Sequence, residues 1–121
     1  MGEKTVLLVD DSLSTAKQLK QIISGFPGYE IVGRAKNGAE AVKLYGELKP
    51  DIVCMDIVMP IMDGLQALRM ILKMNTEAKV VMVSSLGGVG DRVVEALKMG
   101  ARNVIAKPFE DEKIREMLDA L

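Results

Sequence analysis

Five residues able to bind a cation or take part in group transfer stand where apolar, β-branched runs end. "TVLLVD" closes on Asp10, followed by Asp11, and "DIVCMD" closes on Asp56. "KVVMVS" closes on Ser84, and "NVIAK" closes on Lys107, followed by Pro108. Read singly, each has an ordinary structural use. Asp11-Ser12 suits a helix N-cap, Asp56 an Asx turn, and Lys107 a surface charge. Taken together they ask for more. If the first and third runs are neighbours, three carboxylates converge, and each like-charge pair at 4 Å costs on the order of 4 kcal/mol in a surface-like dielectric. A hard divalent cation would offset that repulsion, and Mg²⁺ characteristically sits on one or two carboxylates together with phosphate and water.

A second stretch, "VVMVSSLGGVGDR" from Val80 to Arg92, has the outline of a phosphate-cradling loop: a strand-like run, then glycines, then a helical pattern. A nucleotide P-loop needs Lys and then Ser/Thr after its last glycine. Here Asp91 and Arg92 follow Gly90, and an acid at that place repels a triphosphate. The loop therefore reads as a flexible connection, with Gly87, Gly88 and Gly90 as low-barrier hinge positions.

Composition narrows the chemistry further. The chain has 121 residues, a net charge of −1 and no histidine. The missing histidine excludes Ser-His-Asp and Cys-His catalysis, histidine metal ligation and a phosphohistidine relay within this chain. No basic block argues for nucleic acid. No apolar run approaches the roughly 18 residues needed to span a bilayer. "MGEKTVLLVDD" enters a strand pattern directly, without a signal peptide's apolar region, so a cytoplasmic protein is expected. Cys54, the one cysteine, lies in the apolar run "IVCM" and reads as a small buried thiol.

Those residues must be positioned by an alternating fold. Strand patterns fall at 5–10, 29–35, 51–56, 79–84 and 103–107, with helical stripes between them. Leu19, Ile22, Ile23 and Phe26 recur at i, i+3, i+4 and i+7, as do Ala41, Leu44, Tyr45 and Leu48. Leu68, Ile71 and Leu72 form a shorter stripe; Val93, Ala96 and Leu97 another, stopping at Gly100; Ile114, Met117, Leu118 and Leu121 close the series. The first, third and fourth strands are apolar nearly throughout, as when helices cover both sheet faces. The second alternates more and belongs at an edge. Five β/α repeats of this length imply an α/β fold with a doubly wound parallel sheet, whose function collects at the carboxyl edge.

"LLVDDS", "DIVCMDIVMPIMDG", "VVMVSS" and "VIAKPF" together resemble the receiver domain of two-component response regulators, over essentially the whole chain. "VSSLGG" and "KMGARNVIAKPF" look most like chemotaxis receivers, including the receiver half of chemotaxis methylesterases. The resemblance implies a flavodoxin-like (βα)5 sheet in the order 2-1-3-4-5, an order for which chemotaxis receivers are a standing example, as a single domain over residues 1–121. It implies that Asp56 is phosphorylated by a partner sensor histidine kinase. Mg²⁺ would be held by Asp10, Asp11, Asp56 and the backbone carbonyl of Val58. Ser84 would bond the phosphoryl group, Lys107 would pair with it, and the Lys107–Pro108 bond would be cis. Phosphorylation would move the 84–92 loop and the face made by the fourth helix, fifth strand and fifth helix, controlling a downstream protein or an attached output domain.

The pattern departs from the family at Val104, where receivers often carry an aromatic residue. A valine can shift little, which argues against a rotamer-coupled aromatic switch and leaves loop movement. Val58 and Leu86 occupy positions that modulate phosphate lifetime in the family. Both are apolar and neither can orient a water, so slow self-dephosphorylation is expected.

Three other readings fit less well. A haloacid-dehalogenase-type phosphatase needs an acid two residues after its nucleophilic aspartate, where this chain has Val58. A flavodoxin-like electron carrier needs a hydroxyl-rich loop after the first strand, and "DDSLST" is too acidic; the chain also has only two Tyr and two Phe to flank a flavin. A phosphorylation-independent interaction module usually lacks one of the acids or the lysine, and here all are kept. The chain is read as regulatory, with a receiver cut from a longer protein as the alternative to a stand-alone regulator.

Overall fold

The computed structural model describes residues 3–85 and 90–121. The hinge positions Gly87 and Gly88, and Leu86 with its expected effect on phosphate lifetime, lie outside the described residues. Ten elements alternate along the chain: β1 (Lys4–Val9), α1 (Leu13–Ser24), β2 (Tyr29–Ala35), α2 (Gly38–Leu48), β3 (Ile52–Asp56), α3 (Gly64–Met74), β4 (Lys79–Ser84), α4 (Asp91–Met99), β5 (Asn103–Ala106) and α5 (Asp111–Asp119). The strands form one sheet in the order β2-β1-β3-β4-β5, and every pair is parallel. This is the doubly wound, flavodoxin-like order implied above.

The period-2 alternation of each central strand builds two cores at once. Leu7, Val9, Val53, Met55, Val80 and Met82 face α2, α3 and α4, meeting Ala41, Tyr45, Leu68, Ile71, Val93 and Ala96. Val6, Leu8, Ile52, Cys54, Val81 and Val83 face the opposite way, against Leu19 and Ile23 of α1 and Ile114 and Leu118 of α5. Cys54 is buried as expected, and burial pushes its thiol up to about 12. Because both faces are covered, truncating a fully buried residue such as Leu68 or Ile71 to alanine would cost about 2–5 kcal/mol. β2 lies at the edge and is only partly buried along its middle.

The helix starts are local chemistry. Ser12 caps α1, accepting from the Thr15 N–H. Asn37 caps α2, accepting from the Glu40 N–H at 2.9 Å. Asp63 and Gln66 form a reciprocal capping box on α3. α4 stops at Gly100, whose φ of 125° suits a residue without a Cβ.

The sequence-based bounds shift by a residue in places. β1 begins at Lys4 and ends at Val9, so Asp10 lies just beyond the strand, although its N–H still reaches the Ala35 carbonyl at 3.0 Å. β3 starts at Ile52, after Asp51, which is engaged with Thr5. β5 ends at Ala106, and the Lys107 N–H donates to the Ser84 carbonyl at 3.0 Å. Phe26 continues the apolar stripe of α1 but lies past its end, packing on the α1/α5 core from the loop. Leu48 and Leu97 sit at the margins of their stripes and are exposed.

Candidate functional site

The carboxyl edge of the sheet brings the strand-end residues together. Asp10 and Asp11 follow β1, and Asp56 ends the adjacent β3. One carboxylate oxygen from each lies within 4.8 Å of the others. Asp10 is 5% exposed, the sole buried charged residue among those described. Its Oδ1 accepts the Ser12 N–H at 2.8 Å, and its carbonyl accepts from Arg34 of β2 at 2.9 Å. The residue is thus held by both its side chain and its backbone. Asp11, by contrast, is exposed and does not cap α1; Ser12 does.

Asp56 feels this setting most. Partial burial, and next the neighbouring Asp10 carboxylate, push its carboxyl up to about 6. Lys107 and the Ile57 N–H pull it down, and Asp11 pushes it up again. Acids therefore outweigh the cationic compensation around Asp56. Three converging carboxylates form an all-oxygen donor set, and a buried Asp10 already fixed by other groups offers little freedom to move apart. That chemistry fits a hard divalent cation.

Beside the acids lies a cavity of about 280 Å³, lined by Asp56, Val58, Ser84, Lys107, Gly90 and Arg92, among others. The structure thus gathers all the strand-end residues picked out by sequence. Val58 is 67% exposed. The Ser84 hydroxyl donates to the Ser85 carbonyl at 3.1 Å. The Lys107–Pro108 bond is cis, as implied above. Val104 is partly buried against the core that faces α2, α3 and α4.

The loop between β3 and α3 is fixed by a close approach. The Gly64 N–H donates to the Ile57 carbonyl at 2.8 Å. A Cβ on Gly64 would overlap the Asp56 carbonyl oxygen and stand 2.9 Å from the Ile57 Cα. Only glycine lets α3 start this close to the residue that ends β3.

Four residues, Arg34, Arg92, Asp63 and Gln66, escaped sequence reasoning. Arg34 braces the Asp10 backbone from β2, across 24 residues of sequence. Arg92, in the first turn of α4, is ion-paired with Asp63, the cap of α3. Asp63 and Gln66 had a usable signal in the D-x-x-Q spacing of a capping box. The two arginine contacts had none, because they join distant segments.

The response regulator receiver domain family matches residues 6–119. Chemotaxis protein CheY of Thermotoga maritima is 47% identical over 116 residues, covering 96% of this chain and 95% of that protein. The protein-glutamate methylesterase/protein-glutamine glutaminase of the same organism is 47% identical over 104 residues, covering 85% of this chain and 30% of that protein. Among solved structures, the CheX-CheY-BeF3-Mg²⁺ complex from Borrelia burgdorferi contains a chain that superposes with a TM-score of 0.89 at 39% identity. The match covers 97% of this chain and 87% of that one. With the fold, the acidic edge and these matches in agreement, the chain belongs to the response regulator receiver domain family.

Proposed function

We propose that this chain is the phospho-acceptor of a two-component system, with Asp56 taking a phosphoryl group from a phosphohistidine on a partner sensor histidine kinase. The observation that carries the reading is the convergence of Asp10 and Asp11 on Asp56, which itself lines a cavity together with Ser84 and Lys107. An Asp56 carboxylate oxygen attacks phosphorus, the P–N bond to the donor imidazole breaks, and a P–O bond to Asp56 forms. With acetyl phosphate as donor, the bond that breaks is P–O and acetate leaves.

The side chains divide this work by charge. Lys107 offsets the negative charge shared by the carboxylate and the incoming phosphoryl group and pairs with its oxygens. Ser84 exchanges its present acceptor, the Ser85 carbonyl, for a phosphoryl oxygen. Asp10, Asp11, Asp56 and the Val58 carbonyl are the residues that would hold Mg²⁺, which when bound screens the repulsion between nucleophile and phosphate.

The consequence of phosphorylation is movement of the 84–92 segment and of the surface made by α4, β5 and α5, which then selects a downstream protein. We place the chain in the cytoplasm as one receiver domain, of the chemotaxis type, without direct contact to nucleic acid. Among the described residues, no helix is long and apolar enough to cross a membrane. A receiver attached to an output domain, as in the methylesterase relative, is the second reading; it uses the same chemistry and differs in what the switched surface touches.

Beryllofluoride, a mimic of the aspartyl phosphoryl group, tests the assignment without turnover. With Mg²⁺ present it should bind one equivalent per chain, visible as a bound fluorine resonance, and Asp56→Asn should abolish the signal. A folded parent protein that gives no bound signal would support a phosphorylation-independent interaction module instead.

A further inference from the structure

Arg92 has no part in the chemistry assigned above, yet it lines the same cavity as Asp56, Ser84 and Lys107. Its place is not explained by the helix that carries it. A cation in the first turn of α4 opposes the helix macrodipole, and Gly90 gives that helix no side-chain cap. What holds Arg92 is Asp63, across the cleft at the start of α3. Asp63 is already occupied: its Oδ1 accepts the Gln66 N–H at 3.0 Å, and Oδ2 is the oxygen that meets the guanidinium. The arginine side chain remains 48% exposed, and among the described residues its one side-chain partner is Asp63, an exposed contact of the kind that is weak in water.

A phosphoryl group in this cavity changes the competition. It carries about −1.5 to −2 charge and three strong acceptor oxygens, against the single charge of Asp63. Guanidinium presents a planar fork of donors that matches phosphate in two-point contact, which the Lys107 ammonium does not. We propose that Arg92 is a second phosphoryl-binding residue of this site, held in reserve by Asp63 and transferred to the phosphoryl oxygens when Asp56 is occupied. The inference rests on the reading of Asp56 as phospho-acceptor. The exchange also frees the first turn of α4 from the α3 cap and draws it toward Asp56. That links occupancy to α4 without an aromatic side chain at Val104.

Two variants separate this role from that of a mere tether between helices. Arg92→Ala and Asp63→Asn remove the same ion pair, and asparagine caps a helix about as well as aspartate. A tether therefore predicts the same effect from both. Transfer of Arg92 predicts opposite effects: losing the arginine removes a phosphate contact, whereas losing the acid releases the arginine to make it. The measurements are the beryllofluoride dissociation constant and the rate of Asp56 adduct formation from acetyl phosphate at saturating Mg²⁺, with circular dichroism confirming the fold. Arg92→Ala should weaken beryllofluoride binding about tenfold or more, the scale of one charge-assisted contact, and slow adduct formation. Asp63→Asn should strengthen and speed them about two- to fivefold, and the double variant should match Arg92→Ala. If the parent forms the adduct and the two single variants shift together or not at all, the Arg92 assignment is overturned while the phospho-acceptor reading stands. If the parent itself forms neither adduct nor beryllofluoride complex, both fall.

Discussion

Removing the charge of Asp56 should stabilise this protein, and the gain should depend on pH and on divalent cation. Burial and the Asp10 carboxylate raise the Asp56 carboxyl from 3.8 to about 6 in the folded chain. The unfolded chain therefore loses this proton first as pH rises, so ionisation favours unfolding between these two values. The stabilising contribution of the protonated form is complete below pH 3.8 and is lost as pH passes 6. A rise of that size corresponds to about 3 kcal/mol at about 1.4 kcal/mol per tenfold change, and solvent reaching the cleft reduces it to about 1–2 kcal/mol. Asp56→Asn keeps the shape and an acceptor for the Ile57 N–H while removing the charge. In EDTA at pH 7.5 it should raise the melting temperature by about 4–8 °C, at about 4 °C per kcal/mol for a domain of this size. At pH 3.5 the gain should vanish. Added Mg²⁺ should narrow the gap at pH 7.5, because the parent keeps all three acids and binds the ion better. Thermal unfolding followed by circular dichroism across pH, with and without Mg²⁺, reads all of this. A variant no more stable than the parent at pH 7.5 in EDTA, or a gain that persists at pH 3.5, would refute the electrostatic account of the acidic cluster.

Other consequences concern the loop between β3 and α3 and the lifetime of the modified state. Gly64→Ala forces backbone at Asp56 and Ile57 to move; it should cost about 1–3 kcal/mol or more in urea denaturation and weaken Mg²⁺ binding in a calorimetric titration. An unchanged midpoint and affinity would show that the close approach does not matter. Ile61 has φ 69° and is 83% exposed, so a β-branched residue sits in a left-handed conformation with little packing in return. Ile61→Asn should therefore stabilise by about 0.5–1 kcal/mol, checked by the same denaturation; a loss of stability would contradict the strain argument. The exposed Val58 at the cavity has no group to orient an attacking water, so the phosphoryl group should persist for minutes or longer in a mass-spectrometric time course. Loss within seconds would show that another group activates water.

The fold was legible because each central strand is apolar on both faces: Val6 and Leu8 point to one core, Leu7 and Val9 to the other. Such a run suits a strand between two layers of helices, and five of them in alternation leave few topologies. The mixed "YEIVGRA" placed β2 at the edge for the same reason. The acids, Ser84 and Lys107 were legible because they stand where apolar runs stop, at the edge where parallel sheets bind ligands. What stayed hidden was side-chain reach between distant segments. Nothing near Arg92 announces Asp63, 29 residues away, and nothing near Arg34 announces the Asp10 carbonyl. The positive φ of Ile61 was equally silent, since "MPIMDG" offers glycine only later in the turn. Strand ends moved by a residue where hydrogen bonding continues past the last paired position, as at Asp10 and Lys107.

Intact-mass spectrometry of the protein incubated with acetyl phosphate and Mg²⁺ reads whether Asp56 accepts a phosphoryl group. The parent should gain one phosphoryl group, absent in Asp56→Asn and absent when Mg²⁺ is removed. A folded parent that gains no mass, or an adduct that survives in Asp56→Asn, would contradict that role for Asp56.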